Sequence, residues 1–131
     1  MSCLSWNCRG LGNTATVKEL RDLAKDVALT VLCVLETHVY KSRVEGLKHT
    51  LGYANAFAVS SSGRSGGLAI FWNSDIKIDI LPYSQYHIDA IIHEERCEPW
   101  RLTCVYGEAQ TSERFKTWDL LKHIKSSSSL P

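Results

Sequence analysis

Val31-Leu32-Cys33-Val34-Leu35 is an unbroken apolar run, β-branched at two positions and closed by Glu36. A short run of this kind reads as a strand covered on both faces of a parallel sheet. Upstream, Cys3-Leu4-Ser5-Trp6-Asn7 alternates like a second short strand, and Arg9-Gly10-Leu11-Gly12-Asn13 supplies turn chemistry after it. Between the two, Thr16 and Glu19 have the spacing of a capping box. Val17, Leu20, Leu23, Ala24, Val27 and Ala28 recur at helical spacing, so a helix is expected to run to about Val27. Strand, helix and strand form a βαβ unit, whose crossover is almost always right-handed and whose strands end on one common edge.

Outward from this unit, Tyr40, Val44, Leu47 and Leu51 fall on one helical face, predicting a second helix that ends near Gly52. The pattern then turns to strands over Asn55–Val59, Gly66–Trp72, Ile76–Leu81, Tyr86–His93 and Arg101–Tyr106, spaced closely enough for antiparallel hairpins. Ile76, Ile78 and Ile80 alternate with Lys77 and Asp79, and Ile88, Ala90 and Ile92 alternate around Asp89, which predicts one buried and one wet face for each. A last helix is expected over Ser112–Lys125, with Phe115, Trp118, Leu121 and Ile124 on its apolar face. After the serine run Ser126–Ser129, Leu130-Pro131 reads as the lead-in to a further strand. The fold class is α/β, a mixed β-sheet with flanking helices. A flavodoxin-like fold shares the βαβ start, but its helices would alternate with strands throughout.

A chain of 131 residues has the length of one domain, since domains commonly run roughly 100 to 200 residues. With 44% hydrophobic and 22% charged residues it has the composition of a packed globular protein rather than a disordered one. The formal charge of +1 excludes a broadly basic nucleic-acid module, so any contact with phosphates must be local. No apolar run approaches the roughly 20 residues of a membrane span, and Asn7 and Arg9 interrupt the stretch where a secretory signal would lie. A chain inside the cell is the expectation. Five cysteines without a CxxC pair, four of them in apolar strand-like contexts, read as reduced, buried thiols. His93, Cys97 and Cys104 match no zinc-ligand spacing.

Asn7 and Glu36 close the two βαβ strands and so reach the edge where open α/β sheets bind ligands. A hard cation such as Mg²⁺ is held by one or two carboxylates, with water and substrate oxygens filling the rest of its shell. Glu36 suits that role, although a glutamate ending a buried strand also serves as a solvated edge charge. The loop Ser60-Ser61-Ser62-Gly63-Arg64-Ser65-Gly66-Gly67 could cradle a phosphate with its amides and Arg64, or simply join two strands. It lacks the Lys-Ser or Lys-Thr of a mononucleotide P-loop. The five histidines show no paired spacing, and no Gly-x-Ser-x-Gly elbow is present.

Four segments together carry a resemblance. Leu4-Ser5-Trp6-Asn7-Cys8-Arg9-Gly10-Leu11-Gly12, Val34-Leu35-Glu36-Thr37-His38, Gly63-Arg64-Ser65-Gly66-Gly67-Leu68-Ala69 and Val105-Tyr106-Gly107 have the order and approximate spacing of the endonuclease/exonuclease/phosphatase superfamily. Within it the chain resembles the apurinic-endonuclease-like domain of plant LINE-type non-LTR retrotransposons, in which segments like Trp100-Arg101-Leu102-Thr103-Cys104-Val105-Tyr106-Gly107-Glu108 and Thr117-Trp118-Asp119-Leu120-Leu121 also occur. The resemblance covers essentially the whole chain.

This resemblance implies hydrolysis of phosphodiesters or phosphomonoesters with Mg²⁺ or Mn²⁺, and, for the retrotransposon branch, nicking of target DNA in the nucleus. It implies Glu36 as the metal-binding glutamate, Asn7 as the strand-end asparagine near metal and phosphate, and Tyr106 as the tyrosine on the scissile phosphate. Arg64 ranks below these three as a phosphate contact. It also implies a four-layer α/β sandwich, of which residues 1–131 would be the N-terminal half, truncated before the family's Asp-x-Asn and Asp-His segments. Three expectations follow. The isolated chain should be nearly inactive, the inner apolar face of its sheet should be uncovered, and that face should promote self-association. The alternative is a non-catalytic, transposon-derived remnant or an interaction module that uses the exposed sheet face.

Overall fold

The computed structural model of the chain describes residues 2–61, 66–107 and 110–131. The elements run β1 (Cys3–Asn7), α1 (Thr14–Asp26), β2 (Val31–Leu35), α2 (Lys41–Gly46), α3 (Lys48–Leu51), β3 (Asn55–Val59), β4 (Leu68–Trp72), β5 (Lys77–Ile80), β6 (His87–His93), β7 (Trp100–Val105), a 3-10 turn (Thr111–Glu113) and α4 (Arg114–Ser126). The βαβ start is as expected. β1 pairs with β2 in parallel, from Cys3 opposite Val31 to Asn7 opposite Leu35. β2 also pairs with β4, and β4 with β3, both antiparallel, so the first sheet is mixed with the order β1-β2-β4-β3.

Strands β5, β6 and β7 form a separate antiparallel sheet rather than extending the first. The uninterrupted run of β2 is explained by its two faces. Leu32 and Val34 join Ala69 and Phe71 of β4 under Val17, Leu20 and Ala24 of α1 and Val44 of α2. Val31 and Cys33 face the other way and join Leu68, Ile70, Ile78, Ile88, Ala90, Ile92 and Cys104 between the two sheets. The layers are therefore helices, first sheet, second sheet and α4, and the α/β sandwich expected from the sequence is present.

Several expectations are corrected. The inner face of the first sheet is not left uncovered, because the second sheet lies on it and buries Val31, Leu68 and Ile70 completely. The inner positions that stay exposed are on β1, where Cys3, Ser5 and Asn7 are short and mostly polar. The outer face of β6 is not wet either: Asp89 is only 3% exposed. Its carboxylate receives the guanidinium of Arg101, at 2.8 Å and 3.0 Å from Nε, and the Thr103 hydroxyl at 3.1 Å. Arg101 also donates to the Ile124 carbonyl at 2.7 Å and to the Ser127 hydroxyl at 2.9 Å, tying the last turn of α4 to the second sheet. Because α4 docks through this end, Ile124 is buried while Phe115 and Trp118 are 57% and 62% exposed, against the expectation that all four apolar positions pack.

The start of α1 also differs. Asn13, not Thr16, is its N-cap, with the side chain accepting from the Ala15 amide at 2.8 Å. The helix ends at Asp26, leaving Val27 exposed. Tyr40 precedes α2 and is exposed, and the second helical segment breaks between Gly46 and Lys48 before Gly52 closes it in the left-handed conformation. Of the cysteines, Cys8, Cys33 and Cys104 are buried, but Cys3 is exposed along with Cys97.

Candidate active site

The site grows from the ends of β1, β2 and β7. Past Leu35, the chain does not continue as a strand: Glu36 and His38 both take left-handed backbone angles, with φ of 56° and 59°. Non-glycine residues reach this region only at a cost, and such strain concentrates where a side chain must be aimed. A backbone clamp holds them there. On one side Cys8 N donates to Leu35 O at 3.0 Å, Gly10 N to Glu36 O at 2.8 Å and Leu11 N to Thr37 O at 2.8 Å. On the other, Thr37 N donates to Gly67 O at 3.2 Å and His38 N to Gly66 O at 3.0 Å. The Cys8 thiol, whose pKa is pushed up by burial, adds a contact to Glu36 O at 3.5 Å.

The Glu36 carboxylate is aimed at the second sheet. Its Oε1 accepts the Tyr106 hydroxyl at 3.0 Å, a contact between residues 70 apart in sequence. Its Oε2 lies 3.7 Å from His38 Nε2. Tyr106 is itself fixed by its backbone amide, which donates to Tyr86 O at 2.8 Å. Asn7 is delivered to the same edge by the register that sets it opposite Leu35, and its Oδ1 accepts from the Arg9 amide at 3.3 Å. Of the residues singled out from sequence, the structure thus joins Glu36 and Tyr106 directly and puts Asn7 on the adjoining strand end. Arg64 lies outside the described residues.

Three features escaped the sequence reading. His38 has a carboxylate neighbour that no spacing rule places. Gly67 is required at its position, because a Cβ there would fall 2.0 Å from Thr37 Oγ1 and its φ is +91°. Thr37 is fully buried, and its hydroxyl lacks a hydrogen-bond partner among the described residues. The signal that could have found the clamp is the pair Gly66-Gly67 together with the small Thr37 between two functional side chains.

Chemically, one partly exposed carboxylate beside an amide and a phenol is a donor set for a hard cation that keeps much of its water, as Mg²⁺ does. Among the described residues, no group of three His, Cys, Asp or Glu side chains converges, so the closed cage of a structural zinc ion is not formed. His93 Nε2 is hydrogen-bonded to Asp79 Oδ2 at 2.8 Å.

Residues 4–131 match the Endonuclease/Exonuclease/phosphatase family. The chain belongs to this family. Solved structures agree with the fold that membership entails. The 3′ phosphatase NExo from Neisseria, bound to a product DNA hairpin, is 20% identical with a TM-score of 0.59, covering 92% of this chain and 48% of its own. The AP endonuclease LMAP from Leishmania major is 13% identical with a TM-score of 0.66, covering 93% and 46% respectively. TDP2 from D. rerio, complexed with a single-strand DNA product, is 19% identical with a TM-score of 0.61, covering 98% and 56%. This member of the endonuclease/exonuclease/phosphatase family therefore spans about half the length of the structures it is similar to. No curated protein matches it in sequence.

Proposed function

We propose that this domain takes part in divalent-metal-dependent hydrolysis of DNA phosphodiesters, as a nicking endonuclease of the kind carried by LINE-type retrotransposons. The observation that carries the reading is the Tyr106 hydroxyl on Glu36 at the common end of β2 and β7, beside Asn7 at the end of β1. DNA appears as the bound product in the NExo and TDP2 structures, which supports it as the substrate class. The segments resembling the retrotransposon branch support the finer assignment.

Glu36 would hold Mg²⁺ or Mn²⁺, with Asn7 next to it. The bound cation would polarise the phosphorus and offset charge that develops on the departing oxygen. The chain's own groups do the rest. The Asn7 amide would donate a hydrogen bond toward a non-bridging phosphate oxygen, a fixed polarity that needs no rearrangement during reaction, whereas the single Tyr106 O–H proton is given to Glu36 Oε1 and would reach phosphate only by turning away from it. Tyr106 also holds the Glu36 carboxylate in one rotamer, so that its second oxygen stays turned toward His38. The clamp on Glu36 and His38 resists displacement when charge accumulates.

Among the described residues, His38 is the group left beside a carboxylate committed to the cation, 3.7 Å from Glu36 Oε2, and with no further carboxylate to orient it, it would supply little of the roughly 10²- to 10⁴-fold that water activation typically contributes. The 131-residue chain by itself is therefore expected to nick slowly. With supercoiled plasmid and Mg²⁺, a low rate of nicking is expected that stops on adding a chelator and in Glu36→Ala. Tyr106→Phe should lose less, about 1 to 3 kcal/mol of transition-state stabilisation, since the ring stays packed. Nicking that survives both the chelator and Glu36→Ala would refute the metal role, and nicking as fast without Mg²⁺ as with it would refute the metal-dependent reading.

A further inference from the structure

Three thiols lead from solvent into the space between the two sheets. Cys3 on β1 is exposed and lies on the same face of the first sheet as Cys33 on β2, one diagonal step across the parallel pair in which Cys3 stands opposite Val31. Cys33 is buried, and its sulfur accepts from the thiol of Cys104 on β7, in the opposite sheet, with the two sulfurs 2.7 Å apart. We propose that Cys33 and Cys104 form a reversible disulfide that staples the two sheets beneath the Glu36–Tyr106 contact, with Cys3 as the thiol through which a hydroperoxide oxidant enters. Cys33 lies three residues before Glu36 and Cys104 two before Tyr106, so the staple joins the two strands that present those side chains to each other.

A buried thiol is ordinarily inert because oxidants do not reach it as thiolate. Cys3 supplies what Cys33 and Cys104 lack. The neighbouring Cys33 thiol lowers the Cys3 pKa to about 7, which makes it a thiolate near neutral pH and a good leaving group, while Cys104, then Cys3 and burial, push Cys33 upward. The Cys3 thiolate attacks the peroxide O–O bond, giving a sulfenic acid and, with one proton, the alcohol. The Cys33 thiol attacks that sulfur, forming the Cys3–Cys33 disulfide and releasing water. The Cys104 thiol then attacks Cys33, expelling Cys3 as a thiol and leaving Cys33–Cys104. In sum, two thiols lose two electrons and two protons, and the hydroperoxide takes them up to become alcohol and water. Final closure needs the sulfurs to move from 2.7 Å to the roughly 2.0 Å of a disulfide. Cys8 and Cys97 lie outside this line: Cys8 contacts Glu36 O, and Cys97 sits in the exposed turn between β6 and β7.

The test uses the whole reduced chain and is independent of hydrolytic activity. The chain is treated with tert-butyl hydroperoxide, its remaining thiols are alkylated under denaturing conditions, and its peptides are mapped by mass spectrometry. The expected product links Cys33 to Cys104, leaves Cys3, Cys8 and Cys97 alkylated, melts at a higher temperature than the reduced chain and reverts with dithiothreitol. Cys3→Ser, an exposed and mild substitution, should slow its formation by about tenfold, because the buried pair loses its accessible thiolate. Recovery of Cys33 and Cys104 in alkylated form, or of Cys3–Cys33 as the final product, would overturn the staple. An unchanged rate in Cys3→Ser would overturn the entry route.

Discussion

Gly67→Ala is expected to cost roughly 2 to 5 kcal/mol of stability, the sum of a left-handed backbone penalty and of overpacking in a site without slack. The added methyl would stand 2.0 Å from Thr37 Oγ1 and 3.3 Å from the His38 amide nitrogen. Thr37 is fully buried, so it cannot swing into solvent to make room. The strand edge must then open, and the bonds from Thr37 N to Gly67 O and from His38 N to Gly66 O go with it. Glu36 depends on that clamp for its direction. A second substitution separates packing from backbone strain: Thr37→Ala removes the clashing oxygen and should recover part of the loss, but not the part due to the +91° φ. Urea unfolding of the two single variants and the double variant measures both parts. Equal stability of Gly67→Ala and the unaltered chain would mean that the clamp does not constrain this position.

Arg101→Ala is expected to cost about 3 to 5 kcal/mol, because it leaves a buried carboxylate without its partner. Asp89 has almost no access to water that could take over from the guanidinium. The substitution also frees the Ile124 carbonyl and the Ser127 hydroxyl, the two groups through which Arg101 holds the end of α4. Loss should therefore be local as well as global, with faster amide exchange over residues 123–127 than over α1. Replacing both partners with apolar residues, Asp89→Leu with Arg101→Met, should be far less costly than Arg101→Ala alone, since no charge is then stranded. A double variant as unstable as the single one would show that the contacts to α4, not the stranded charge, dominate.

These two positions also show how far the sequence could be read. The first strands were legible because periodicity reports burial directly: the apolar run of β2 is covered on both faces, and its end marks Glu36. Asp89 was misread for the converse reason. Alternation identifies which residues share a face, not what covers that face, and only Arg101 reaching in from the next strand makes the outer side of β6 dry. The same limit applies to α4, whose apolar spacing gave no sign that Phe115 and Trp118 stay exposed. The second sheet was read as part of the first, since a hairpin pattern is equally compatible with either. At the site, Asn7 and Glu36 follow from the parallel pairing of β1 and β2, whereas Tyr106 is 70 residues from Glu36 and entered through family resemblance rather than pattern. His38 and Gly67 became visible only when the backbone clamp fixed their directions.

The most direct measurement of the site is a titration of the isotope-labelled chain with Mn²⁺, followed by paramagnetic broadening of its backbone amides. Broadening centred on Glu36–His38, the end of β1 at Asn7 and the end of β7 at Tyr106, and lost in Glu36→Gln while the remaining spectrum is preserved, is the predicted result. Broadening centred elsewhere, such as at Asp79 and His93, or broadening at the three strand ends that persists in Glu36→Gln, would contradict a cation site built on Glu36.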